Sequence, residues 1–497
     1  MTSWDAFGPD ARPRRFRGDE APAPNPTAWR HQRRMATVQR VSGERIEPAE
    51  PVIEARTGRL QIDADGVFAF ALVLPMLFMV QLGALGAAMV AGLVPIYLFV
   101  RRRQLTRVMI PRAFLFVIPV FALFSVVWSE APKESFKYAA ELAITVIAGL
   151  LLSSARNQEA VVRGLALAFL TYIAVSLVSG GTVAIGVGAG GEAFSGLTSS
   201  KNLLADIAST GLIISIAMIA MAIRGRHWLW VAIGAVAVLL QFQAVVGARS
   251  AGALLGLGIG VSAMLGLLVL IAAGKVVRAW LTSVLAIVLL AVGLSYRWLA
   301  ATMIAVGANL FDKDPTLTGR TYLWYRAADL IQEKPMLGRG YYAFWLQGNT
   351  DAEGLWRYFG IDNRGGFTFH NTLVDILVTL GWSGAVVFIA TVLIGTVFLI
   401  RKFVQRPTLA LVMWVSIFLY QLARTPIETI GLAPFYFSTM LAFAALGAAF
   451  GRVRPPRPPR APYTRPRLVR VQTLDYTGQA PARASLRILR PDTEVHR

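Results

Sequence analysis

Cysteine is missing altogether from this sequence, histidine occurs four times, and charged residues make up only 15% of 497 positions. The first absence excludes a disulfide framework and thiolate metal ligands, and it leaves the redox compartment open. Charges this sparse would not cover the surface of a water-soluble fold of this length. A Gly-rich phosphate loop of the Walker type is also missing, which argues against nucleotide hydrolysis. No cleavable leader is expected either. The first sixty or so residues are polar, and the apolar run that begins near Gly66 is expected to span a membrane.

What is present is apolar. Hydrophobic residues make up 55% of the chain, the mean hydropathy is +0.55, and apolar runs recur almost throughout. This composition reads as an all-α, polytopic integral membrane protein. The formal charge of +21 invites a nucleic-acid partner, but the arginines crowd into the two tails and the short loops, where membrane orientation puts them. No nucleic acid is therefore expected, and inner-membrane lipids are the expected surroundings.

Runs of roughly twenty apolar residues suggest about twelve transmembrane helices. Basic clusters at Arg101-Arg102-Arg103, Arg156 and Arg163, Arg224-Gly225-Arg226-His227, Lys275 and Arg278, and Arg401-Lys402 mark the cytoplasmic loops. The expected organisation is a disordered basic cytoplasmic tail over 1–64, helices 1–9 over 65–300, and a periplasmic loop subdomain over 301–370. Helices 10–12 follow over 371–450, and a second basic tail covers 451–497. Both tails fall on the cytoplasmic side, consistent with an even number of spans.

Chemistry concentrates between Leu317 and Gly384. The stretch opens with Leu317-Thr318-Gly319-Arg320 and continues through Lys334-Pro335 and Gly338-Arg339-Gly340 to Phe344-Trp345. It closes on His370-Asn371, with Gly381 and Gly384 beyond. Leu323, Ala327, Leu330 and Ile331 would form the apolar face of a helix that Pro335 ends. Such a helix is expected to lie along the membrane surface, with Arg320 at headgroup level, where its fork suits a phosphate pair.

Arg249, Arg320, Arg326, Arg339, Arg357, Arg364 and Arg424 all fall on the outer side, against the charge bias that orients the chain. Acidic neighbours in the same loop favour a structural role for Arg326, Arg339, Arg357 and Arg364. Arg249 has no acidic residue close in sequence. His370 is the one histidine expected outside, and its neutral form suits general-base work. Asn371 sits at the helix N-cap and Asp375 one turn further on the same face. A blander reading stays open, in which His370 is an interfacial cap residue and the two glycines allow close helix packing. Asp312-Lys313-Asp314 has the form of a paired-aspartate metal site, but Pro315 after it reads more simply as a turn. No metal and no cofactor is expected.

The pattern His370-Asn371, Gly381 and Gly384 after an outer loop resembles the signature of the bacterial O-antigen ligase and polymerase family. Trp128-Ser129-Glu130-Ala131-Pro132, Lys201-Asn202 and Gly247-Ala248-Arg249-Ser250 look like its upstream landmarks. Leu317-Thr318-Gly319-Arg320 and Pro335-Met336-Leu337-Gly338 look most like its exopolysaccharide polymerase branch. The resemblance covers roughly residues 65–450.

It implies a membrane-embedded glycosyltransferase fold of the GT-C-like kind, acting on the periplasmic face of the inner membrane. The implied donor is an oligosaccharide on undecaprenyl diphosphate. The acceptor is another lipid-linked repeat unit in polymerases and lipid A-core in ligases. The resemblance also implies that Arg249 and Arg320 hold the diphosphate and that His370 activates the acceptor hydroxyl. Asn371, Asp375, Lys201 and Arg339 are supporting candidates. A flippase and a chain-length regulator are expected partner proteins. The alternative of another class is a lipid-glycan flippase or transporter, which would place ionisable groups near mid-membrane and show internal repeats. A non-enzymatic assembly scaffold would leave His370 without a role.

Overall fold

A computed structural model describes residues 63–102, 108–186, 189–198, 200–294, 319–361, 364 and 367–450. The two basic tails, the Asp312/Asp314 pair and Leu317-Thr318 lie outside the described residues. The chain is mostly helical. In order come α1 (Ala64–Leu77), α2 (Met79–Leu82), α3 (Ala84–Val100) and α4 (Val117–Phe124), the last flanked by 3-10 turns at Ile110–Phe116 and Ser125–Val127. Then follow α5 (Pro132–Ser153), α6 (Gln158–Ser179), a hairpin of β1 (Gly181–Gly186) and β2 (Ala189–Gly196), α7 (Lys201–Gly225), α8 (Trp228–Gly247), α9 (Ala251–Ala272) and α10 (Lys275–Leu294). The remainder comprises α11 (Arg320–Glu333), α12 (Thr350–Tyr358), α13 (Thr372–Gln405), α14 (Leu409–Arg424) and α15 (Phe437–Ala448).

Among the described residues, seven helices are long and apolar enough to cross a membrane, and four shorter apolar helices fall where spans were expected. The chain is a multi-pass membrane protein; the number twelve stays an expectation. Small residues let the helices close up. A Cβ on Gly164 of α6 would overlap the Gly66 carbonyl of α1, and one on Gly149 of α5 would overlap the Met440 carbonyl of α15. The Gly-rich loop after α6 folds as an antiparallel hairpin, Gly181 opposite Gly196. Its glycines mask the alternation that would announce strands.

The segment from α11 onward forms a small core of its own. Leu323, Ala327 and Leu330 are buried with Phe344, Leu355, Trp356, Phe369 and Val378. The helix and its apolar face are those expected, and it ends at Glu333, ahead of Pro335. That face packs against protein, so its apolar pattern is filled without a membrane surface. Periodicity shows that a face is apolar without saying what covers it.

The 34-residue α13 is two helices joined at a break. Gly381 has φ 65° and ψ −168°, and the segment Pro335–Gly340 fills the gap. Arg339 and Gly340 donate backbone N–H groups to the Val378 and Thr379 carbonyls at 3.0 and 2.8 Å, and Trp382 and Ser383 donate to the Pro335 and Met336 carbonyls at 2.9 and 3.1 Å. These four bonds give partners to backbone groups that the break frees. A Cβ on Gly381 would collide with the Met336 carbonyl group, so this glycine is required by the loop that docks on it.

Candidate active site

The N-terminus of α13 is prepared by its sequence. Asn371 caps it, accepting from the N–H groups of Leu373 and Val374 at 3.0 and 3.2 Å. The Asn371 amide also donates to the Pro426 carbonyl at 3.1 Å. Thr372 donates to the Glu428 carbonyl and accepts from the Ile430 N–H, both at 2.9 Å. These contacts tie the loop between α14 and α15 across the start of α13. His370, immediately before the cap, is held at φ +49°, a left-handed conformation that costs a non-glycine residue about 1 kcal/mol and persists where the surroundings impose it. Arg249 shares the feature, with φ +47°.

His370 Nδ1 lies 3.2 Å from Oε2 of Glu428. The other carboxylate oxygen accepts from Arg320 Nη2 at 3.1 Å, and Arg320 Nη1 donates to the Ile427 carbonyl at 2.6 Å. One carboxylate thus joins the histidine and one of the two arginines singled out in the sequence. Burial alone would raise the Glu428 carboxyl. The His370 hydrogen bond and charge, with the Arg320 and Arg424 guanidinia, outweigh it and hold the group at about 2. Glu428 is therefore an anion at neutral pH, placed to orient the imidazole. If Nδ1 donates to it, Nε2 presents a lone pair.

A second carboxylate supports this loop from behind. Asp206 on α7 pairs with Arg424 and accepts from the Tyr420 and Tyr436 hydroxyls at 2.9 and 3.0 Å. Arg424 sits over Gly256 of α9, whose missing side chain leaves room for it. From α7 the contacts continue outward, since Ser250 donates to the Asn202 side chain at 2.9 Å. The N-terminus of α7, the α8–α9 elbow, the α14–α15 loop and the start of α13 therefore meet at one end of the helix bundle.

The remaining sequence candidates divide. Asp375, buried on α13, accepts from the Thr429 hydroxyl next to Glu428. Arg339 is a strut, pairing with Glu130 at 2.7 Å and with Glu333. Trp128 adds an indole N–H donated to the Leu337 carbonyl at 2.8 Å. Arg326 pairs with Asp329 and Asp351, and Arg364 with Glu353. Lys201 donates to the Ile185 carbonyl of β1. Arg249 is exposed and has no ion pair among the described residues. It lies by the hairpin, where a Cβ on Gly191 would be 3.9 Å from its Nη1.

Glu428 and Asp206 were missed as site residues. Asp206 carried a signal, as the single carboxylate of a 25-residue apolar helix. Glu428 is 58 positions from His370 and nothing local pairs them.

The fold and this cluster define a class: a multi-pass helical membrane protein with a histidine–carboxylate–arginine centre at one end of its bundle. Residues 236–389, which include Arg249, Arg320 and His370, match the family described as O-Antigen ligase (Wzy_C). Over 272 residues the chain is 29% identical to the exopolysaccharide production protein ExoQ of Rhizobium meliloti (strain 1021), a match covering 55% of this chain and 61% of that protein. The chain is thus similar to the O-Antigen ligase family over residues 236–389 and to ExoQ over 272 residues.

Proposed function

We propose that the protein is a glycan polymerase of exopolysaccharide or O-antigen synthesis, transferring an oligosaccharide from undecaprenyl diphosphate to a lipid-linked repeat unit at the periplasmic face of the bacterial inner membrane. The observation that carries it is the His370–Glu428 pair beside Arg320. His370 Nε2 takes the proton of the acceptor hydroxyl, whose oxygen bonds to the anomeric carbon of the donor. The bond from that carbon to the diphosphate oxygen breaks, and its electron pair leaves with the diphosphate. A positioned base contributes typically ~10²–10⁴ in rate, and each charge-assisted hydrogen bond to the leaving group adds ~1.5–3 kcal/mol.

Arg249, exposed and without an ion pair among the described residues, suits the diphosphate. Among the described residues Arg320 makes two side-chain hydrogen bonds and has five N–H donors, so it can serve both Glu428 and an anion. Asn371 and Asp375 hold the α14–α15 loop against α13, while Lys201 and Arg339 anchor the hairpin and the 334–345 loop. Polar groups gathered at one bundle end favour an enzyme over a transporter. The family's description favours a second reading, transfer to lipid A-core. A flippase and a chain-length regulator are the proposed partners, and the termini are proposed to be cytoplasmic.

The test is an analysis of lipid-linked glycans in cells with the wild-type gene, a deletion or His370→Ala. Single repeat units accumulating on the carrier, with polymer lost, support the polymerase. Finished polymer left on its carrier supports the ligase. Unchanged glycans in both altered strains reject either reading.

A further inference from the structure

A chain of aromatic rings runs from His370 to the surface of the loop subdomain. Phe367 meets the imidazole edge-on at 5.6 Å between centroids. Phe359 lies 5.5 Å from Phe367, Tyr358 lies 5.0 Å from Phe359, and Tyr322 lies 4.2 Å from Tyr358. The fully buried rings of this subdomain fill its core, and Tyr322, Phe359 and Phe367 pack along its edge. Phe359 and Phe367 are half-buried, and Tyr358 is 62% exposed. A second contact ties the track to the reaction centre. Phe359 sits on Gly319, the residue before Arg320, where a Cβ would be 2.6 Å from its ring.

Tyr358 stands exposed and stacks on the half-buried Tyr322 of the neighbouring helix, an arrangement that suits a pyranose. The C–H groups on one face of the sugar ring rest on the electron-rich face of an aromatic ring, while the hydroxyls around its rim find Tyr hydroxyls and water. The charged neighbours Arg326 and Arg364 are already paired with carboxylates, while Arg357, next to Tyr358, is exposed. We propose that Tyr322, Tyr358, Phe359 and Phe367 form a glycan subsite that carries the sugar units flanking the reacting one and leads them to His370. This rests on the glycosyl-transfer reading and adds the substrate class that the outer part of the site accepts.

The probe is a mixture of short oligosaccharides from partial acid hydrolysis of the polysaccharide made by the producing cells, observed by saturation-transfer NMR on the full-length protein in detergent micelles. Wild type and His370→Ala are expected to transfer saturation to the pyranose C–H protons alike. Tyr358→Ala, whose side chain is exposed enough to remove without harm to the fold, is expected to weaken binding about fivefold to tenfold. Tyr358→Trp should restore it. No transfer to the oligosaccharides, or transfer unchanged in Tyr358→Ala, overturns the subsite. If His370→Ala instead retains full polymer synthesis while Tyr358→Ala loses binding, the base assignment fails and the subsite stands.

Discussion

Two carboxylate–arginine pairs meet the same loop, one at Arg424 where it leaves α14 and one at Glu428 within it, and they differ in burial. Asp206 and Arg424 have side chains 3% and 4% exposed, and Asp206 is fully engaged by an arginine and two tyrosines. Glu428, His370 and Arg320 are 19%, 26% and 15% exposed, and the histidine keeps a ring nitrogen outside the network. A carboxylate and a guanidinium thus make a buried strut in one place, and in the other a partly exposed cluster that leaves a histidine ring nitrogen outside its hydrogen bonds. The strut fixes the loop through Arg424, and the loop carries Glu428.

The comparison is broken most severely at its two poles. His370→Ala should lower transfer by about 10²–10⁴ with the folded yield unchanged, measured as polymer per molecule of membrane-extracted protein. Asp206→Ala leaves a buried guanidinium without its partner, and breaking such a pair typically costs about 3–5 kcal/mol. Its folded yield and thermal midpoint should fall sharply, while whatever folds retains transfer.

Intermediate variants sharpen it. Glu428→Gln keeps the shape but removes the charge that orients His370, and a loss of roughly 10²-fold in transfer is expected, at the low end for positioned acid–base help. Equal activity would assign Glu428 to the loop alone. Arg249→Lys should reduce transfer more than Arg339→Lys reduces it, because a point charge cannot reproduce a fork on a diphosphate. Comparable transfer in the two variants would remove the diphosphate assignment.

The smallest effect is one of pH. The folded Glu428 lies at about 2, below its unfolded value near ~4.3. Its pairing therefore stabilises fully above that unfolded value, and the contribution is lost as pH falls through the folded one. Thermal midpoints should drop more steeply between about pH 4.5 and 2 in wild type than in Glu428→Gln. Glu428 should add no limb to the activity profile above pH 5.

Much of this was legible in the chain. Apolar runs placed the helices, the spacing of Leu323, Ala327 and Leu330 with Pro335 beyond gave α11, and His370-Asn371 announced a capped helix at a chemically loaded boundary. What was not legible is tertiary. Gly381 reads as a packing residue until the loop from Pro335 to Gly340 is seen filling its break. The surface that covers α11 is protein, although a lipid surface would select the same face. Arg320 looks available for an anion in the sequence, and the fold gives it Glu428. Long-range polar pairs leave no local period to read, so the partners of Glu428 and Asp206 had to come from the structure.

If His370 is the base and Asp206–Arg424 a separate strut for the loop that carries Glu428, one experiment parts the two roles. The most direct measurement is polymer formed per folded molecule for His370→Ala and Asp206→Ala, side by side in the same membranes. Folded and inactive protein is expected for the first, and scarce but active protein for the second. Normal polymer per folded molecule in His370→Ala would contradict the base assignment.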